Sequence, residues 1–122
     1  VIIHGSCHCG ATKFELNEAP VGLTRCTCSF CTKRGALWAY YRPDQFRLKT
    51  PMADVGTYEW GGRTARHHFC PGCGCGTFTR APDWSTGEPD YDNPRISINA
   101  WLLDDFDIEP LPVIVLDGRN LW

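Results

Sequence analysis

The sequence predicts an all-β or mainly β domain, and three observations carry that expectation. Twelve glycines and nine prolines cut the chain into short runs. Several of those runs are extended in type, alternating polar with apolar residues or rich in aromatic and β-branched side chains. No window longer than about ten residues holds a helical period. Along the chain, "TKFEL" (12–16) alternates as a half-buried strand does, and the aromatic "GALWAYY" (35–41) reads as another. "FRLKT" (46–50) follows the turn residues "RPDQ". "VGTYEW" (55–60) stops at Gly61–Gly62, and "RTARHHFC" (63–70) resumes in extended form, as a hairpin would. "GTFTRA" (76–81), "RISINAW" (95–101) and the late apolar run "LPVIVL" (111–116) complete the strands. Short helical turns are expected at "SFCTKR" (29–34) and "RPDQF" (42–46). The polar stretch "STGEPDYDNP" (85–94) reads as an exposed loop.

A length of 122 residues fits one domain with a core of its own. Hydrophobic residues at 43% and charged residues at 21% place the chain with ordinary globular proteins. The formal charge is −2 and the longest basic run is Lys33–Arg34, so there is no electrostatic footprint for nucleic acid. No apolar stretch approaches the roughly 20 residues of a membrane helix. The opening "VIIHGSCHCG" lacks the basic flank and apolar core of a secretory signal, so the expected location is cytoplasmic.

Eight cysteines set the chemistry. They fall in three tight clusters: Cys7-x-Cys9, Cys26-x-Cys28-x-x-Cys31 and Cys70-x-x-Cys73-x-Cys75. A disulfide framework and reduced core thiols are the competing readings, and both fit the spacing poorly. Core thiols have no reason to cluster. Residues i and i+2 of a strand lie roughly 6.5 Å apart, near the limit for an unstrained bridge. Metal ligation asks for such pairs. "CHC" and "CPGC" supply two pairs, so Cys7, Cys9, Cys70 and Cys73 are the expected ligands of a closed structural zinc site. Proline and glycine inside "CPGC" suit the tight turn that aims two thiolates at one ion.

Cys26, Cys28 and Cys31 are then left as a triplet. Three protein ligands with a fourth position for water or substrate are the mark of an open zinc site, and a thiol entering it would be deprotonated at neutral pH. Two alternatives stand beside this: closure by Cys75 or by one of His4, His8, His67 and His68 into a second structural site, or an iron–sulfur cluster. The expected cofactor is Zn2+, two per chain, one structural and one open or labile.

The segments "GSCHCGATKFEL", "CTCSFCTKRGALWA", "TYEWGGRTARHHFCPGCGCGTF" and "LDGRNLW" resemble the glutathione-dependent formaldehyde-activating family, which also includes the centromere protein V group. The likeness runs over nearly the whole chain, and the order of the three clusters is its specific part. It implies packed antiparallel sheets around a structural zinc in a single domain over residues 1–122. By position it gives Cys7, Cys9, Cys70 and Cys73 as structural ligands and Cys26, Cys28 and Cys31 as catalytic ones. The activity implied is a carbon–sulfur lyase type of reaction, condensing glutathione with formaldehyde to S-(hydroxymethyl)glutathione. Cys75 departs from the pattern, which has a small or hydroxyl residue there.

The expected partners are therefore a small thiol and an aldehyde, with no nucleic acid and no membrane. Arg25, Lys33 and Arg34 flank the triplet and are the candidates for holding the thiol's carboxylates, followed by Arg63 and Arg66. Trp38, Tyr40 and Trp60 are candidates for the pocket wall, although aromatic strand residues more often pack in a core. The competing function is a non-catalytic zinc-binding interaction module or a thiol-responsive zinc protein.

Overall fold

The structure, a computed structural model, describes residues 1–121, so Trp122 of the closing motif lies outside the described residues. It is mainly β. Three strands form a small sheet: β1 (Ile3–Ser6), β2 (Lys13–Leu16) and β5 (Phe46–Leu48), in the order β1-β2-β5. Seven strands form the larger one: β3 (Leu23–Cys26), β4 (Trp38–Tyr41), β6 (Gly56–Tyr58), β7 (Arg66–Phe69), β8 (Gly76–Asp83), β9 (Asp90–Asn99) and β10 (Val113–Leu116). Their order is β10-β3-β4-β9-β8-β7-β6. Among the described residues, helix is confined to α1 (Ser29–Arg34), α2 (Gly118–Leu121) and three single 3-10 turns. No described helix is long and apolar enough to cross a membrane.

Side chains alternate across a strand, so each strand of the large sheet divides its residues between two faces. One face meets the small sheet. There Phe14 and Leu16 pack with Leu23, Ala39, Tyr41, Phe78, Ile96 and Ile98. Phe46 bridges the two sheets, its ring 5.7 Å from Phe14 and 4.9 Å from Phe78. Phe14, Leu16, Ile96 and Ile98 are at most 2% exposed, and burying each stabilises the fold by about 1.5–3 kcal/mol. Gly5 makes room for this core: a Cβ there would stand 2.2 Å from the Phe14 ring. Thr24 pairs with Trp38 on the opposite face, where a second cluster gathers Cys26, Cys28, Cys31, Ala36 and Trp38. That face carries the triplet.

Every strand expected from the sequence forms, and four differences are informative. Ile3–Ser6 and Leu23–Cys26 are strands that the residue pattern does not announce. "STGEPDYDNP" is not all loop, because Asp90–Pro94 open β9 and extend its hairpin with β8. Polar residues occupy a strand here because most of that stretch is not buried. "RISINAW" ends its strand at Asn99, whose side chain accepts the Trp101 N–H and starts a 3-10 turn. Finally, β10 pairs with β3 in parallel, so the large sheet is mixed at one edge rather than antiparallel throughout.

Candidate metal centres

The Sγ atoms of Cys7, Cys9, Cys70 and Cys73 all lie within 4.8 Å of one another. Cys7 and Cys9 follow β1, while Cys70 and Cys73 form the knuckle between β7 and β8, so the cluster joins the two sheets. Sulfur separations are 3.7 Å for Cys7–Cys9 and 3.6 Å for Cys9–Cys70. Four thiolates about 2.3 Å from a zinc ion stand about 3.8 Å apart, whereas a disulfide needs about 2.05 Å. All eight cysteines are free. The donor set and its spacing fit zinc.

The knuckle is built by its backbone. The Gly74 N–H donates to the Cys70 carbonyl at 2.8 Å, and the Cys70 N–H to the Cys75 carbonyl at 2.9 Å. Gly74 takes φ +82°, a conformation open to glycine at little cost. A Cβ on Gly72 would stand 3.6 Å from both the Cys70 and Cys9 sulfurs, so glycine there keeps the sulfurs uncrowded. Backbone N–H groups of Cys75 and Cys9 draw the Cys73 thiol down to about 5. Thiolate is the ligating form, so this prepares the site for a cation. The Thr12 N–H donates to the Cys7 sulfur at 3.2 Å. Cys75 joins neither cluster.

The Sγ atoms of Cys26, Cys28 and Cys31 also lie within 4.8 Å of one another, and all three residues are buried. Among the described residues no further Cys, His, Asp or Glu donor joins them within that distance. Cys26 ends β3 and Cys28 is the N-cap of α1. An N-cap supplies an acceptor for the first helical N–H groups, and here a sulfur does so, accepting the Cys31 N–H at 3.4 Å. The Cys28 N–H donates to the Cys26 sulfur at 3.5 Å, and the Trp38 indole Nε1–H to the Cys31 sulfur at 3.3 Å. Each sulfur thus has one N–H aimed at it. α1 stops at Gly35, in the left-handed conformation with φ +65°.

The three thiols are not equivalent. Burial pushes Cys26 and Cys31 up. At Cys28 burial acts the same way but is outweighed by the Cys31 N–H and the neighbouring thiols, and the group is lowered. Three buried thiols with their own N–H donors need a cation to be held as thiolates together, and the set fits a zinc ion as ligands.

A cleft of 370 Å³ lies beside the triplet, lined by Ser29, Phe30, Lys33, Arg34, Tyr58 and Trp60. Phe30, Lys33 and Arg34 share a helix face by their i, i+3, i+4 spacing, and Cys28 and Cys31 share the adjoining one. The Phe30 ring is 5.7 Å from Tyr58, 6.1 Å from Trp60 and 4.1 Å from His67. The Arg34 guanidinium lies 5.0 Å above Phe30 and would meet a Cβ on Gly76 at 2.8 Å. Burial lowers its pKa. The two ion pairs among the described residues are Arg42–Asp44 and Lys49–Glu15, so neither Lys33 nor Arg34 is matched by a described carboxylate.

Of the three basic residues that flank the triplet in the sequence, Lys33 and Arg34 therefore meet in one cleft. Arg25 does not line it. It stands exposed on β3, paired with Val115. Arg63 and Arg66 are outside it too, and of the aromatic candidates only Trp60 lines it. Trp38 is buried behind Cys31, and Tyr40 lies under the Arg95 guanidinium at 4.2 Å. Phe30 and Tyr58 are cleft residues that the sequence reading left out. The only signal for Phe30 was its place inside the Cys28-x-x-Cys31 spacer. Neither His67 nor His68 joins the triplet: Nδ1 of His67 bonds the Thr79 hydroxyl at 2.9 Å and Nδ1 of His68 the Thr57 hydroxyl at 3.1 Å.

Comparison with known proteins adds three findings. Residues 2–107 match the family model described as "Glutathione-dependent formaldehyde-activating enzyme". A Halomonas elongata protein named "Putative glutathione-dependent formaldehyde-activating enzyme" is 30% identical over 93 residues, covering 69% of this chain. The match spans 59% of that relative's length. A crystal structure of a Rhodobacter sphaeroides protein is similar with a TM-score of 0.69 and 30% identity, over 91% of this chain and 99% of that one.

Proposed function

This chain belongs to the glutathione-dependent formaldehyde-activating enzyme family, and we propose that it is a zinc-dependent enzyme adding a small thiol of the glutathione class to formaldehyde or a similar aldehyde. The product is the S-(hydroxymethyl) adduct, which makes the reverse reaction that of a carbon–sulfur lyase. Residues 1–122 act as one zinc-binding domain with two sites. The observation that carries this reading is the buried Cys26–Cys28–Cys31 triplet, joined by no fourth described donor and placed beside a cleft with two cations that no described carboxylate matches.

Cys26, Cys28 and Cys31 would hold a zinc ion, which would favour the deprotonated form of an incoming thiol. The chain's own residues do the rest. Cys26, Cys28 and Cys31 are held in place by the N–H groups of Cys28, Cys31 and Trp38. Lys33 and Arg34 hold the carboxylates of the thiol substrate, Arg34 from a guanidinium fixed against Phe30. Phe30, Tyr58 and Trp60 wall the cleft and reduce water around the reacting pair. The reaction forms one sulfur–carbon bond, and the thiol's proton ends on the former carbonyl oxygen, so no oxidant or reductant enters. Thiols add to aldehydes without help, and deprotonation with proximity is what the site needs to provide. The four-cysteine site joins the sheets and takes no part in the chemistry.

The test follows adduct formation from glutathione and formaldehyde by NMR exchange, with zinc content measured on the same samples. The zinc-loaded protein is expected to accelerate exchange, and Cys28→Ser to abolish the acceleration while zinc falls from two per chain to one. Full acceleration with full zinc in Cys28→Ser refutes the assignment.

A further inference from the structure

Gly76 is a glycine that its own backbone does not require. It opens β8 opposite Phe69 of β7, without the positive φ that makes glycine the fitting residue at Gly74. Glycine is a poor strand former, and one in a strand often marks a place where another group comes close. Here that group is Arg34. A Cβ on Gly76 would stand 2.8 Å from Nη2, 3.0 Å from Nε and 3.1 Å from Cζ of Arg34. The strand itself is pinned. The Gly76 carbonyl accepts the Asn99 amide at 3.0 Å, Asn99 is buried and paired with Trp38, and the Cys75 carbonyl just before it accepts the Cys70 N–H. A methyl at position 76 must therefore move the guanidinium outward by about an ångström to regain ordinary contact.

A row across the sheet shows what the missing side chain makes room for. Gly56, Phe69 and Gly76 are neighbours on β6, β7 and β8. The Phe69 ring covers Gly56, where a Cβ would clash with it. The Arg34 guanidinium covers Gly76 and lies 5.9 Å from the centre of the Phe69 ring and 5.0 Å from that of Phe30. Arg34 is half-buried there, whereas Lys33 beside it is exposed. Neither of the two described ion pairs includes Arg34, so this partly dehydrated charge lines the cleft with no described carboxylate to match it. A planar guanidinium fixed in one orientation suits a carboxylate, which it can hold through two parallel N–H bonds.

We propose that Gly76 is the positioning residue that seats Arg34, and that Arg34 so seated makes the cleft select a thiol with free carboxylates over the same thiol esterified. The inference rests on the reading of this cleft as the thiol site and adds the residue that sets its selectivity. Exposed Lys33 attracts an anion without fixing its orientation, because an ammonium on a flexible stem acts as a point charge. Arg34 supplies the orientation. Gly76 touches neither the thiol nor the triplet and acts through Arg34 alone.

The test is calorimetric titration of the zinc-loaded full chain with glutathione and with its diethyl ester, which keeps the thiol and removes both carboxylate charges. The wild type is expected to bind glutathione about thirtyfold more tightly than the ester, about tenfold through Arg34 and about threefold through Lys33. Gly76→Ala should leave about threefold by weakening glutathione alone, with ester affinity and zinc content unchanged and a thermal midpoint no lower. Arg34→Ala should leave the same preference, and Gly76→Ala added to it should change nothing further, since one acts through the other. Equal wild-type affinities for the two thiols overturn the proposal, and so does a Gly76→Ala protein that keeps the full preference. A Gly76→Ala loss that adds to that of Arg34→Ala overturns it too, by giving Gly76 a role apart from Arg34. The expected preferences without any accelerated adduct formation support the proposal and refute the chemistry assigned to the triplet.

Discussion

Replacing Trp38 with Phe tests whether the triplet is held for a cation. The indole Nε1–H donates to the Cys31 sulfur at 3.3 Å, with Trp38 and Cys31 only 7% and 9% exposed. Water has little access to replace the lost donor. A hydrogen bond to a charged acceptor contributes about 1.5–3 kcal/mol, and 1.4 kcal/mol is about tenfold in affinity. Zinc at the triplet of Trp38→Phe should therefore bind about 10- to 150-fold more weakly, in the range seen when a metal ligand loses its supporting hydrogen bond. Burial pushes Cys31 up and the indole N–H opposes it, so the effect acts on the thiolate. The assay is competition with a graded series of chelators, following zinc release with a coloured indicator. The four-cysteine cluster takes no hydrogen bond from Trp38 and serves as an internal reference. Weakening confined to one of two zincs is the expected result. Two unchanged affinities, or two affinities lowered alike, would refute the reasoning.

Phe14→Ala should destabilise the fold by about 3–5 kcal/mol, because the ring is 1% exposed and joins both sheets; a loss below about 1 kcal/mol in urea titration would show that the core collapses around the gap. Gly5→Ala should cost about 1–3 kcal/mol by overpacking against that ring, and an unchanged thermal midpoint would contradict it. His67 carries a pH prediction. Burial first, then the charges of Arg34 and His68, lower it from 6.5 to about 4. The unfolded chain therefore binds this proton before the folded one, and stability contributed at neutral pH is lost as pH falls from 6.5 towards 4. After allowance for partial solvent exposure the loss is about 1–2 kcal/mol. His67→Asn should flatten the pH dependence by that amount in this window, and identical slopes in the two proteins would remove His67 as the cause.

How much could be read in advance depended on the range of the signal. "TKFEL" and "RHHF" carry their fold in local alternation, and their strands lie where the pattern puts them. "LTRC" does not, since only Leu23 and Cys26 of β3 are buried and the strand is defined by β10 and β4 on either side. The parallel partnership of β3 with β10 joins segments with most of the chain between them, and no spacing rule reports it. The cysteine clusters were legible because ligand geometry constrains short spacings, and the structure brings Cys7 and Cys9 to Cys70 and Cys73 and keeps Cys26, Cys28 and Cys31 together. The cleft was less so. Arg25 and Arg34 both flank the triplet in sequence, and strand against helix placement decides that only Arg34 reaches it. Phe30 lay hidden as a spacer residue.

The same partnership sets an order on synthesis. Thr27, inside the triplet, gives its backbone N–H to the Leu116 carbonyl and its hydroxyl to that carbonyl as well, across 89 residues. Its hydroxyl oxygen also accepts the Arg119 N–H. A nascent chain thus carries Cys26, Cys28 and Cys31 long before the strand that frames them has been translated. During that interval the three thiols are exposed to oxidants and to other metals without their finished surroundings. The backbone frame around the triplet is therefore complete only once residues 113–116 have been made.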